Sequence, residues 1–357
     1  MDLRVAQARL TADGVIVCGE LIKSERLIIV TGARPSVPSI PGLQGVRYLT
    51  STSALDLGTL PRSLLVIGGG YIGAELAQMF ARMGVKVTIV CRSRLLPGAE
   101  PEIAEALSKY LQEDGVKLIC GISYQHVMQS VAGIFLVVQK NNRDETLTAE
   151  QLLIATGRTP NVEALGLSEA SVEQLANGSI KVDDRMRTTR PGTYAAGDVT
   201  GRDQFVYMAA YGAKIASRNA LNGDSLRYDN SAMPAVVFTD PQVASVGLTE
   251  AAARAAGYDV RTSMLPLDTV PRALAARDTR GRIKLVADAK TRKLLGAHVL
   301  APEGADSIQT VALAIRQGFT IEELADTIFP YLTTVEGLKL AALAFDKDVA
   351  RLSCCAG

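Results

Sequence analysis

The distribution of apolar and polar positions changes character three times along the chain. An apolar run of strand type at residues 27–30 is followed by Pro35, Pro38 and Pro41 with Gly42 and Gly45, a stiff non-helical connector that sets a boundary near residue 60. From Leu64 an apolar strand runs into a cluster of glycines. Beyond it, Ile72, Leu76, Met79, Phe80 and Met83 recur at helical spacing on one face, and a second apolar strand follows at residues 85–90. The pattern predicts strand, glycine turn, helix and strand, with short strands filling the region to about Val138. After residue 230 it predicts strands around Val236, 283–287 and 294–300, then helices near 305–317, 321–325 and 335–345, an α+β unit. Thr320 with Glu323, and Thr333 with Glu336, have the spacing of capping boxes at two of those helix starts.

Two segments echo one another. Residues 27–35 read Leu-Ile-Ile-Val-Thr-Gly-Ala-Arg-Pro and residues 152–160 read Leu-Leu-Ile-Ala-Thr-Gly-Arg-Thr-Pro, each an apolar strand ending in Thr-Gly and then proline. The residues alone leave two readings open, a shared task or two ordinary buried strands that end in turns.

Composition narrows the function classes. A chain of 357 residues that is 48% hydrophobic suits two or three globular domains. Net charge is +1 with both signs interspersed, so no basic face points to nucleic acid. The longest stretch without Asp, Glu, Lys or Arg, residues 118–139, carries Gln125, His126, Gln129 and Ser130 and reads as strands and turns, so no membrane span is expected. Residues 1–14 lack the apolar centre of an export signal. The five cysteines, Cys18, Cys91, Cys120, Cys354 and Cys355, form no disulfide framework, which fits a reducing compartment and a cytoplasmic location. The last four residues nominally match a prenylation pattern, but Cys355 and Gly357 fall outside its usual set. His126 and His298 have no partner at ligand spacing and read as structural.

The glycines after Leu64 are spaced Gly68-x-Gly70-x-x-Gly73, between a buried strand and an amphipathic helix, the setting of a dinucleotide fold. Gly68 allows the tight turn, Gly70 lets the backbone approach a pyrophosphate, and Gly73 lets helix and strand pack closely. An NAD site places a carboxylate at the end of the second strand to bond the ribose 2′-hydroxyl. Here that strand runs into Arg92 and Arg94. Guanidinium groups grip a 2′-phosphate, so NADPH is favoured over NADH; the competing reading is two solvated surface arginines.

Taken together, GGGYIGAE at 68–75, ATGRTPN at 155–161 and TYAAGDV at 193–199 resemble the flavin-dependent disulfide reductases, in order and in spacing. The resemblance implies an α/β chain of FAD/NAD(P)-binding Rossmann-like domains followed by an α+β dimerisation domain. Its implied divisions are a remnant of the first FAD-binding part at 1–59, an NADPH-binding domain at 60–150, a second FAD-binding part at 151–229, the dimerisation domain at 230–346 and a Cys-Cys tail at 347–357. It further implies that Thr31, Gly32, Gly157, Arg158 and Asp198 line FAD, that Asp198 bonds the ribityl chain and that Val206 opens the helix over the isoalloxazine. In the same way Glu75 joins the nucleotide-binding set and Tyr71 covers the nicotinamide. Without the family, Asp198 reads as a turn or N-cap residue.

The segment from Phe329 to Lys339 and the ending Ser353-Cys354-Cys355-Ala356-Gly357 resemble the mercury-reducing members of that family. Adjacent thiols on a short small-residue tail suit capture of a soft ion such as Hg(II), while the bland reading is a pair of incidental thiols. The dithiol-handling relatives carry a His five residues before Glu336, where this chain has Tyr331. Tyrosine is a poor base near neutral pH, but its hydroxyl can hydrogen-bond at a metal–thiolate site; alternatively Tyr331 is a half-buried interface aromatic. Glu336 is explained as a capping residue and is left out of the catalytic set. The resemblance implies FAD and NADPH as cofactors, Hg(II) reduced to Hg(0), and a homodimer. It also implies an earlier GxGxxG unit and a Cys-x4-Cys pair, and no two of the five cysteines have that spacing. The chain therefore matches the later part of a full-length member, and the alternatives are an inactive NADPH- and mercury-binding fragment or another flavin disulfide reductase.

Overall fold

The computed structural model describes residues 2–348, so Cys354 and Cys355 lie outside the described residues. The chain forms two compact units: one from the start to Ser36 together with Gly157–Asn230, the other from Val37–Thr156 together with the residues from Ser231 onward.

In the first unit, the strands Ala8–Thr11, Gly14–Val17 and Glu20–Ile22 make an antiparallel meander that the sequence pattern did not predict. Its second turn places Cys18 and Gly19 both at positive φ, the backbone that matches the twist of a tight hairpin. The strand Leu27–Ile29 lies parallel to Thr193–Ala195, and Leu10, Ile29, Ile180, Ala195 and Val199 pack around it. The helix Val206–Asn222 buries Ile215, Ala216 and Ala220 against Tyr194 and stops at Gly223, which adopts the left-handed backbone.

The second unit is built on a four-stranded parallel sheet in the order Gln151–Ile154, Ser63–Ile67, Lys86–Cys91, Lys117–Cys120. Leu64, Leu65, Val66 and Ile67 are all buried, as a strand covered on both faces requires. The helix Tyr71–Arg82 follows the glycine turn as predicted. Its buried face is made mainly by Gly73, Ala74, Leu76, Ala77 and Phe80, whereas Met83 lies just past the last turn and is exposed. Small residues let this helix settle close to the sheet. A second helix, Pro101–Glu113, went unpredicted; it buries Ile103, Ala104, Leu107 and Leu111, and its proline occupies a first-turn position where no N–H is needed. The strands Ser123–Ser130, Gly133–Lys140 and Arg143–Ala149 form an antiparallel sheet, so strand structure runs on beyond Val138.

Beyond residue 231 a five-stranded antiparallel sheet, in the order Ala235–Val237, Gln242–Gly247, Leu294–Ala301, Arg282–Asp288, Val260–Pro266, packs against the helices Gly304–Gln317, Ile321–Asp326 and Glu336–Leu343. The capping box of Thr320 and Glu323 is present, with both reciprocal bonds formed. The one expected at Thr333 and Glu336 is not: Thr333 donates to Pro330 O at 2.8 Å, and Glu336, itself the first helical residue, accepts from the Leu332 N–H at 3.3 Å.

The division between units also differs from the sequence-based one. Leu49 bonds both Leu152 O and the Ile154 N–H, and Ile40 and Leu43 join the sheet's core, so residues 37–59 and 151–156 belong with the nucleotide-type sheet.

Candidate functional site

In the second unit the strand Ser63–Ile67 delivers the chain to Gly68 at φ 118, a backbone that side chains rarely adopt. A Cβ on Gly68 would lie 2.2 Å from Ala155 O, and one on Gly73 would lie 2.2 Å from Gly68 O, so both glycines are fixed by close approach. At Gly70 the same atom would meet nothing within 4 Å. Gly70 is the N-cap of the helix and offers no capping side chain. The open space above a helix start, whose first N–H groups have no intrahelical acceptor, fits the pyrophosphate of a dinucleotide.

The two arginines separate in the structure. Arg92 is exposed just past the second strand. Arg94 turns back into its own loop, donating to Pro97 O at 2.9 Å and Ala99 O at 2.6 Å, while its Nη1 is buried without a hydrogen-bond partner. One arginine is therefore presented outward. The other holds the loop and keeps an unspent donor that suits an anion.

Tyr71, the first helical residue, remains 37% exposed, and burial of the rest of the ring pushes its pKa up, so the phenol stays neutral near pH 7. Glu75 accepts the Phe238 N–H at 2.7 Å; burial pushes its pKa up and this hydrogen bond opposes the shift. Its carboxylate thus anchors the strand that begins the later α+β part. Tyr331 is 58% exposed and precedes Leu332, which has a left-handed backbone at φ 64.

The first unit assembles the residues expected to line FAD. The segments that follow the two Thr-Gly turns pair with each other: Ala33–Pro35 runs antiparallel to Arg158–Pro160, with Thr159 opposite Arg34. Asn161, which the sequence reading quoted but gave no role, fastens this pair. Its side chain donates to Thr31 O at 2.9 Å, its own O accepts from Thr31 Oγ1 at 2.8 Å, and its N–H donates to Gly32 O at 3.0 Å. Arg158 donates through Nε to Asp198 Oδ2 at 3.0 Å and through Nη2 to Ala33 O. A carboxylate has about four acceptor positions, so this ion pair leaves Asp198 capacity for a ligand hydroxyl. Val206 is 84% exposed at the start of its helix, beside the stacked rings of Phe205 and Tyr207, whose centroids are 5.3 Å apart. An apolar platform at a helix start without a capping side chain fits a flat ring that carries a hydrogen-bond acceptor.

Among the described residues, no group of three or more His, Cys, Asp or Glu side chains is placed to hold a metal ion. No helix among them is long and apolar enough to cross a membrane.

Residues 3–214 match the model of the pyridine nucleotide-disulphide oxidoreductases, and residues 233–342 match the dimerisation domain of that family. The chain is 48% identical over 358 aligned residues to a mercuric reductase of Staphylococcus aureus, covering 100% of this chain and 65% of that protein. It is 51% identical over 344 residues to a mercuric reductase of Bacillus cereus, covering 96% of this chain and 54% of the relative. Among solved structures, the HOCl-induced flavoprotein disulfide reductase RclA from Escherichia coli is similar at a TM-score of 0.86 and 33% identity, covering 96% of this chain and 79% of that one. The chain thus spans 54% to 65% of the length of these two mercuric reductases.

Proposed function

The chain belongs to the pyridine nucleotide-disulphide oxidoreductase family, and from that premise we propose that it acts as a mercuric reductase, using NADPH and FAD to reduce Hg(II) to Hg(0). The observation that carries this reading is the identity with mercuric reductases along the whole chain. When bound, NADPH would supply the reducing hydride and FAD a two-electron carrier for reduction of the metal substrate.

The chain's own residues have distinct tasks in this reading. Gly68, Gly70 and Gly73 hold open the approach to the pyrophosphate, and Arg92 selects a 2′-phosphate. Tyr71, neutral and partly exposed, covers the nicotinamide face and excludes water. Arg158 and Asn161 fix the paired Thr-Gly turns, so that Asp198 meets a ribityl hydroxyl without reorganising, and Val206 packs against the flavin ring. Cys354 and Cys355 capture Hg(II) as thiolates, soft ligands for a soft ion. The Tyr331 hydroxyl donates a hydrogen bond to a ligating thiolate, in place of a histidine base. The part matching the dimerisation domain joins two copies into a homodimer, working in the cytoplasm.

A second reading has these residues bind NADPH and Hg(II) without completing turnover, and the absence of Cys-x4-Cys spacing among the five cysteines favours it. The test is NADPH oxidation by the FAD-loaded chain. The proposal expects oxidation that depends on Hg(II), exceeds the rate with glutathione disulfide, and disappears in Cys354→Ala/Cys355→Ala. Retention of the nucleotide without Hg(II)-dependent oxidation would select the second reading.

A further inference from the structure

Cys91 and Cys120 end two neighbouring parallel strands and stand directly opposite each other in register. Their Sγ atoms are 2.7 Å apart. Cys91 is buried and Cys120 is partly exposed. The Cys91 side chain also lies beneath the nucleotide loop, since a Cβ built on Gly69 would come 3.2 Å from both its Cβ and its Sγ. The next residue is Arg92, so the strand end that carries one thiol also carries the candidate 2′-phosphate contact.

We propose that Cys91 and Cys120 form a reversible dithiol–disulfide site, with a low-molecular-weight disulfide as its co-substrate. Adjacent strands lie about 4.8 Å apart, inside the Cα separation of about 4.4–6.8 Å that a disulfide spans. A bridged soft ion fits less well: two metal–sulfur bonds of about 2.3 Å in line need sulfurs about 4.6 Å apart, well beyond the observed contact.

The two thiols are unequal in the way that exchange requires. The hydrogen bond from Cys91 brings Cys120 down to about 7 against the opposing effect of burial, with help from the Leu95 N–H and the Lys140 charge. The same contact, together with burial, pushes Cys91 up. Cys120, the more exposed thiolate, attacks one sulfur of the small disulfide R–S–S–R and releases one thiolate. Cys91 then loses its proton and attacks Cys120 Sγ, releasing the second. Two protein thiols are oxidised to one disulfide, the small disulfide is reduced to two thiols, and the protons leave with them.

Closing the bond repositions the Cys91 Sγ directly beneath Gly69, in the strand end that leads into Arg92. Weaker NADPH binding follows, a consequence that rests on the proposed nucleotide site, whereas the disulfide itself does not. The whole protein, reduced and freed of reductant, is treated with oxidised glutathione, digested with trypsin and weighed. The expected result is residues 87–92 linked to residues 118–140, with the link reversed by dithiothreitol and missing in Cys120→Ser. NADPH affinity of the linked form should fall about tenfold, an ordinary coupling between two sites. Recovery of both peptides unlinked, in a sample where exposed Cys18 has become glutathionylated, would overturn the proposal. A link that leaves measurable NADPH affinity unchanged would overturn its effect on the nucleotide. A reduced protein that binds no NADPH would instead count against the proposed function and leave the peptide result standing.

Discussion

Lys284 holds its ammonium 3.0 Å from Glu100 Oε2, 2.9 Å from Glu102 Oε1 and 3.0 Å from Glu250 Oε2, with 3% of its side chain exposed. Burial works against that charge, but the three carboxylates outweigh it and hold the group above its ordinary value. Burial keeps neighbouring His298 low and therefore neutral near pH 7. Removing the cation strands a buried Glu100 carboxylate, so Lys284→Met should cost about 3–5 kcal/mol in urea unfolding. The pH dependence has a definite sign. Glu250, pulled down by Lys284 and Arg254, and Glu102, which Lys284 pulls down against burial, add stability that is present above their unfolded value of about 4.3 and lost as pH falls through their lower folded values. Lys284 adds stability that is present below its unfolded value of about 10.4 and lost as pH rises through its raised folded one. Lys284→Met should therefore flatten the acid side of the stability profile. At the nucleotide loop, Arg92→Ala should weaken NADPH binding by about tenfold or more, the value of a charged hydrogen bond, and leave NADH unchanged in calorimetric titration. Equal losses would show that Arg92 does not read the 2′-phosphate. Gly68 and Gly73 were legible in the sequence because close approach to the backbone leaves no room for a side chain at either. The carboxylates around Lys284 were not, because Glu100 and Glu102 lie far from it in the chain, and the inward turn of Arg94 was not, because it depends on how its own loop presents the Pro97 and Ala99 carbonyls.

At the scale of elements, the strand–turn–helix of residues 63–82 was readable from its hydrophobic period, and so were three of the strands and the last three helices after residue 231, whereas the strands Gln242–Gly247 and Val260–Pro266 and the helices Glu250–Ala255 and Pro271–Ala276 were not. The helix Pro101–Glu113 was missed even though its apolar residues recur at helical spacing, because the region to about Val138 was read as filled by short strands. The two Thr-x-x-Glu segments expected to cap helices differ. The same spacing gives a formed box at Thr320, where the chain enters the helix from extended backbone, and none at Thr333, where Val335 is already in the helical region. Thr320→Ala should cost about 1 kcal/mol, measured by thermal unfolding, with Thr333→Ala as the comparison that loses no cap. The echo between residues 27–35 and 152–160 has a counterpart in space. The two strands enter different sheets, and only the segments after the Thr-Gly turns meet.

At the scale of the molecule, the fold class was legible, and so was the change after residue 230, which falls at the 230/231 division between units. The divisions at 36/37 and 156/157 were not, because which side residues 37–59 and 151–156 join is decided by partners such as Leu49 with Leu152. Each unit carries one half of the proposed electron path, a nucleotide loop in one and a flavin-type cradle in the other. The most direct test is the visible spectrum of the purified chain, dialysed after FAD is added and then titrated with NADPH without oxygen. A flavin band equal to one FAD per chain that bleaches with NADPH and returns on adding Hg(II) is the predicted result. A colourless protein, or a flavin band that NADPH leaves unchanged, would contradict it.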